Sequence, residues 1–237
     1  MPPSSPPVAA PLPWLLMLLS VTTGLVDATS VLGLDKVFTA NMTGNIVFLG
    51  FAAAGTPGFD VAPYLTAICA FLIGALVAGR TGKAHAGRPL RRWLLSAAAI
   101  EAGLLWLAAL LAWLRQTGET SPASHSASFY GIILLTALAM GFRNATIRQL
   151  KVPDLTTTVL TLTLTGLAAD SRLAGGSDTN WIRRIGSVIA IFIGAAIGAV
   201  LVTHSSLAAP LLLAGALGLI GTAACALHPA AATPAAA

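Results

Sequence analysis

Three charged residues stand inside otherwise apolar runs: Asp27, Glu101 and Arg143. A charge at hydrocarbon depth is costly unless it is paired or hydrated, so such a residue reads first as functional. Asp27 stands about two-thirds along the run at 14–34; the plainer reading makes it a helix-end residue at the interface. Glu101 lies in the run WLLSAAAIEAGLLWLAALLAW, where it could couple transport to a proton or simply hydrogen-bond to a neighbouring helix. Asp27 shares that proton-coupling candidacy. Arg143 directly precedes Asn144, and an Asp27–Arg143 ion pair inside the molecule is the expected arrangement.

The densest polar cluster in an apolar setting is Asn41, Thr43, Gly44 and Asn45. Gly44 frees the backbone, while Asn and Thr supply neutral donors and acceptors suited to a solute that must bind and leave. A threonine run, Thr156, Thr157, Thr158, Thr161, Thr163 and Thr165, does the same later in the chain. The alternative is helix–helix glue, worth about 0.6–2 kcal/mol per contact. No GxSxG, HExxH, Walker A or Rossmann pattern occurs. Cys69 and Cys225 lie in apolar runs without metal-ligand spacing and read as small buried hydrophobes. The residues thus call for no catalysis, cofactor or metal.

The elements that must position these residues follow from composition. Of 237 residues 56% are hydrophobic and only 9% charged, against about 25% charged in a soluble domain. That excludes a soluble enzyme, a nucleic-acid binder and a disordered chain. The net charge of +5 is the Lys/Arg excess of cytoplasmic loops. Six apolar runs, at 14–34, 61–79, 93–114, 129–149, 185–203 and 207–227, are each long enough to cross a bilayer. Two shorter runs, 37–55 and 155–169, are rich in Thr, Asn and Gly; either they span, or they re-enter or break. With six crossings and an inner N-terminus, all Lys and Arg except Lys36 and Arg115 fall inside. Eight crossings would move Arg172, Arg183 and Arg184 outside, so the positive-inside rule favours six. Residues 1–13 and 228–237, rich in Pro and Ala, read as disordered tails around one membrane domain at 14–227.

The chain also resembles itself. Gly24-Leu25-Val26-Asp27-Ala28-Thr29 matches Gly141-Phe142-Arg143-Asn144-Ala145-Thr146; Thr43 and Asn45 match Thr161 and Thr163; Ile73-Gly74-Ala75 matches Ile193-Gly194-Ala195. Three matches in order point to a duplication with halves at about 14–114 and 129–227. Three crossings per half make the second half enter from the opposite side, an inverted repeat. The two polar segments would then meet near the midplane. Gly74, Gly79, Gly194 and Gly198 read as close helix contacts.

Val26-Asp27-Ala28-Thr29, then Phe38-Thr39-Ala40-Asn41-Met42-Thr43-Gly44-Asn45, Gly141-Phe142-Arg143-Asn144-Ala145 and Thr157-Thr158-Val159-Leu160-Thr161 make the chain resemble the YoaK-like bacterial membrane proteins, a family described as a domain of unknown function. The resemblance covers about 14–227, with the MTGN stretch most specific. Thr161-Leu162-Thr163 replaces the Thr-Gly-Thr that similar proteins often show, removing a close backbone approach there. The resemblance implies a multi-pass bacterial inner-membrane protein and supplies no activity.

The expectation is therefore an all-α polytopic membrane helix bundle, with six transmembrane helices, two short polar segments and both termini cytoplasmic. Its partners are the lipid bilayer, a small solute and a second copy of the chain, with no nucleic acid. The leading function is secondary transport of a small polar or ionic solute, at a site lined by Asp27, Asn41, Thr43, Gly44, Asn45, Arg143, Asn144, Thr157 and Thr161. The alternative is a non-transporting scaffold or lipid-binding protein.

Overall fold

The computed structural model describes residues 11–118, 126–150, 160–177 and 180–228. Every element among them is helical: α1 (Pro11–Gly33), α2 (Met42–Ala53), α3 (Val61–Ala84), α4 (Leu90–Gly118), α5 (Ala127–Gln149), α6 (Leu160–Ala169), α7 (Trp181–His204) and α8 (Ala208–Leu227), with one 3-10 turn at Arg172–Ala174. Six of these helices are long and apolar enough to cross a membrane. Without water in the hydrocarbon, a helix satisfies its own backbone, which is why such runs take this form. Prolines cluster in first turns: Pro11 and Pro13 in α1, Pro63 in α3 and Pro210 in α8. There the missing N–H would have no partner within the helix. Residues 11–13, expected in the tail, are thereby the start of α1; the rest of both tails, apart from His228, lies outside the described residues.

Glycines set the helix pairs and their directions. Gly186, Gly194 and Gly198 of α7 lie against Met17, Val21 and Leu25 of α1, so the two helices run parallel. Gly74 and Gly82 of α3 lie against Leu138 and Gln149 of α5, again in parallel. Gly131 of α5 meets Leu111 of α4, Gly215 of α8 meets Trp106 of α4, and Gly221 of α8 meets Leu18 of α1; with Glu101 beside Arg143 and Gly33 beside Leu207, these three pairs are antiparallel. Hence α1, α4 and α7 run one way and α3, α5 and α8 the other. We call the side where α1 starts and α8 ends the terminal face, and its opposite the far face.

These directions decide the number of crossings. α1 ends on the far face and α3 starts there, so α2 returns the chain to the side it came from. By the same logic α6 stays at the terminal face between α5 and α7. At 12 and 10 residues these helices are about 18 and 15 Å long, short of the roughly 30 Å a bilayer requires. Each packs on a single long helix, α2 on α3 and α6 on α7. Among the described residues the expected meeting of the two polar segments at the midplane is not seen: α2 and α6 lie toward opposite faces and do not touch.

The core runs through α1, α3, α4, α5 and α8, with Leu25, Leu105, Ile132, Ile133, Ala137 and Leu211 fully buried. Leu72, Ile73, Leu76, Phe192, Ile193 and Val200 are exposed on α3 and α7, as a lipid-facing surface would be. Cys69 belongs to that exposed side of α3, contrary to its sequence reading, whereas Cys225 is buried as expected. Trp14, Trp113 and Trp181, near helix ends, are also exposed, in keeping with interface anchors, whereas Trp106 lies mid-helix against Gly215 and Trp93 is buried.

Candidate functional site

Most buried hydroxyls return to their own helix. Ser20, Thr22, Thr23, Thr29, Thr136 and Thr146 each donate to a backbone carbonyl three or four residues earlier, at 2.6–3.0 Å except for a second, longer Thr136 bond. Such back-bonding satisfies a hydroxyl without any partner helix. The polar chemistry left over is concentrated at Arg143.

Arg143 is the largest fully buried side chain among the described residues, only 2% exposed. It projects from α5 toward α1 and α4. Its Nη2 donates to Glu101 Oε1, forming a buried ion pair. Nη1 donates to Leu19 O and Thr23 Oγ1 of α1, both at 3.3 Å. Nε has no partner. The expected Asp27–Arg143 pair is thus replaced by Glu101–Arg143. Asp27 sits nearer the far end of α1, where its carboxylate accepts from the Ala40 N–H at 3.3 Å and ties down the strand of chain before α2. Glu101, read as a candidate proton carrier or helix contact, makes a charged contact with a different helix.

The pair stands at the inner end of a cavity of about 30 Å³ between α1, α4, α5 and α8. Its walls are Leu15, Leu19, Leu94, Ala97, Ala98, Phe142, Ile147 and Leu150, with Thr146 and Thr222 as the neutral polar groups. Leu15 and Leu94 lie near helix starts, Leu150 and Thr222 near helix ends, so the cavity belongs to the terminal half. This volume accommodates a water or two. A wider depression of about 400 Å³ opens on the far face, lined by Gly33, Ala112, Arg115, Gln116, Val202, Ser205, Ser206 and Leu207. Both lie along the seam of α1, α4 and α8, separated by the packed layer of Leu105, Ala108, Leu211 and Ala214.

The other sequence candidates are dispersed. Asn45 is buried, but its amide is consumed locally: Oδ1 accepts from Phe38 N–H at 2.9 Å and Nδ2 donates to Phe38 O at 2.5 Å. Gly44 is required because a Cβ there would strike the Phe38 ring. Asn41 and Thr43 are exposed on the far side, and Thr161 is exposed on α6. Asn144 is partly buried, and its Nδ2 has no partner. Thr157 lies outside the described residues. Of the expected set only Arg143 therefore joins the cavity, together with Glu101; Thr146 and Thr222 were not singled out. Nothing local marks those two, because a threonine that lines a cavity has the same sequence signal as one that back-bonds.

The long apolar helices agree with what comparison shows. A family model described as "Protein of unknown function (DUF1275)" matches residues 15–224. The chain belongs to the DUF1275 family. The UPF0700 transmembrane protein YoaK of Bacillus subtilis (strain 168) is 35% identical over 160 residues, which cover 66% of this chain and 65% of that protein. The chain thus matches a little under two thirds of YoaK's length. No solved structure matches the chain significantly. As a DUF1275 member it is a polytopic helical membrane protein, and its Glu101–Arg143 pair lies inside the family-matched region.

Proposed function

We propose that this DUF1275 protein is a small secondary transporter or permease for a small polar or ionic solute, and not an enzyme. The observation that carries the reading is a buried ion pair ending a cavity on one face, with a second depression on the same seam at the other face. Buried charge of this kind in membrane helices marks solute and ion pathways.

An inverted repeat supports the same reading. Gly24 of α1 crosses α7 at Ile191 and Ala195, while its counterpart Gly141 of α5 crosses α3 at Phe71. Gly194 meets Val21, and its counterpart Gly74 meets Leu138. Two parallel pairs, α1 with α7 and α3 with α5, form units of opposite direction that could rock about the α4–α8 contact. This is the usual means of alternating access in inverted-repeat transporters. Orientation follows from charge: Arg80, Lys83, Arg88, Arg91, Arg92, Arg148, Arg172, Arg183 and Arg184 border the terminal face, against Lys36 and Arg115 at the far face. The positive-inside rule then makes the terminal face cytoplasmic, with both termini inside a bacterial inner membrane. Six crossings are few for a transporter acting alone, so a homodimer belongs to the proposal.

The second reading, a non-transporting scaffold or lipid-binding protein, draws on the small size of the inner cavity and makes Glu101–Arg143 a structural clamp. Cysteine accessibility along the α1–α4–α8 seam separates the two. In a transporter, Ala98→Cys reacts from the terminal face, and Ala108→Cys, inside the closed layer, reacts with a water-borne thiol reagent in a fraction of molecules. Complete inertness at residue 108 would favour the scaffold.

A further inference from the structure

Three features of Arg143 describe more than a clamp. Its Nε–H and Nη2–H share one edge of the guanidinium, the fork that takes both oxygens of a carboxylate in a bidentate pair. Glu101 occupies only the Nη2 side, and Nε is left without a partner although the side chain is almost wholly buried. Both residues line the cavity that reaches toward the terminal face. A buried donor without a partner is uncommon and needs a reason.

We propose that Arg143 is the seat of a small monocarboxylate and that Glu101 is the carboxylate it displaces, with a proton taken up in the exchange. The proposal rests on the transporter reading and names the solute class for the same cavity. Arg143 already holds a carboxylate, so a solute that replaces it must offer the same planar, singly charged group. The cavity alone holds a water or two, so the solute must also fill the space that Glu101 vacates. The mostly apolar walls from Leu15, Leu19, Leu94, Ala97 and Ile147 then suit a remainder of one or two carbons and disfavour a multiply charged ion. The charge balance determines the rest. Glu101 and Arg143 together are neutral. If an anion takes the guanidinium, the released carboxylate would be an unpaired buried charge, which is expensive. Taking one proton from the solution at the terminal face restores neutrality: Arg143 cation, solute anion, Glu101 acid. The site therefore moves a proton and an anion together, with no net charge.

The other groups that touch the pair or line the cavity beside it are neutral. α1 presents Thr23 and the Leu19 carbonyl, α5 presents Thr146, and α8 presents Thr222 and Gly218. Asp27 of α1 is engaged at Ala40, farther along the helix, and Cys225 of α8 lies among Leu12, Leu15 and Leu16.

The test is titration of the purified protein in nanodiscs with acetate, following heat and proton uptake in weakly buffered solution between pH 5 and 8. Acetate should bind with uptake of about one proton per site, and its affinity should fall about tenfold per pH unit at the alkaline end. Chloride and choline should not substitute. Glu101→Gln, a neutral mimic of the protonated acid, should bind acetate with no proton uptake and little pH dependence. The double variant E101Q/R143Q, which removes both charges together, should stay folded and bind no acetate. Absence of acetate binding at every pH, binding without proton uptake, or unchanged pH dependence in Glu101→Gln would each overturn the proposal. Flux in proteoliposomes keeps the two readings apart. Binding with proton uptake but no flux supports the carboxylate seat and overturns transport; flux of another solute without acetate binding overturns the seat and leaves transport standing.

Discussion

Arg143 and Glu101 illustrate how a buried pair is stabilised as a unit. Removing one partner leaves an uncompensated charge, which costs about 3–5 kcal/mol, whereas removing both is often near neutral. Arg143→Gln should therefore lower the unfolding midpoint strongly, and E101Q/R143Q should recover most of the loss; a thermal-unfolding double-mutant cycle in detergent measures this. Additive losses would mean that the two side chains do not act together. Asn45 makes a different kind of residue-scale prediction. Its amide satisfies both backbone groups of Phe38, so Asn45→Ala leaves them unpaired at about 1–3 kcal/mol. Amide exchange should rise at residues 37–41 and in α2 while α4 and α8 stay protected.

Among elements, the parallel pairs α1–α7 and α3–α5 depend on glycines at backbone contact. A Cβ at Gly74 would enter the Leu138 carbonyl, and one at Gly194 the Val21 carbonyl. Backbone cannot yield as a flexible side chain can, so Gly74→Val or Gly194→Val should cost at least about 1–3 kcal/mol and lower the yield of folded protein in size-exclusion runs. Gly79 has open space around it. Gly79→Ala should be neutral or stabilising by about 0.5–1 kcal/mol through helix propensity. The spacing that groups Gly79 with the others thus describes a helix face only in part. The short helices are anchored differently: α2 by Asn45 and by the Asp27–Ala40 contact, α6 by the Arg184–Asp170 ion pair at 2.6 Å.

For the whole molecule, helix direction makes a prediction about sidedness. In a background without Cys69 and Cys225, Pro57→Cys on the α2–α3 connection should react with an impermeant maleimide from the outside of intact cells. Gly175→Cys, between α6 and α7, should react only after lysis or in inverted vesicles. Eight crossings would put both sites on one side, so labelling of both from the same side would overturn the arrangement, and reversal of both results would invert its orientation. The exposed apolar faces of α3 and α7 set the girth of the bundle in lipid, while the α1–α4–α8 seam holds the two openings.

Much of this was legible in the chain. The six spans, the shortness of 37–55 and 155–169 and the one-sided cations depend on local apolar transfer and on where Lys and Arg fall, and neither needs a partner. The glycine matches between halves were visible for the same reason, as were Glu101 and Arg143 as conspicuous charges. Which carboxylate Arg143 would hold was not legible. Asp27 was the expected partner because it stands at the position matching Asn144. Ion pairing depends on the rotation of α1, α4 and α5 about their axes and on their relative depth, which turns Arg143 toward α4 and leaves Asp27 to Ala40. Likewise, the Asn41–Asn45 cluster looked like a site because polar groups in an apolar run must be satisfied, and the fold satisfies Asn45 within its own turn. Composition and patterning therefore determined that this chain spans a membrane and about where. Only the packing of helix on helix decided which of its few buried charges face each other across a cavity.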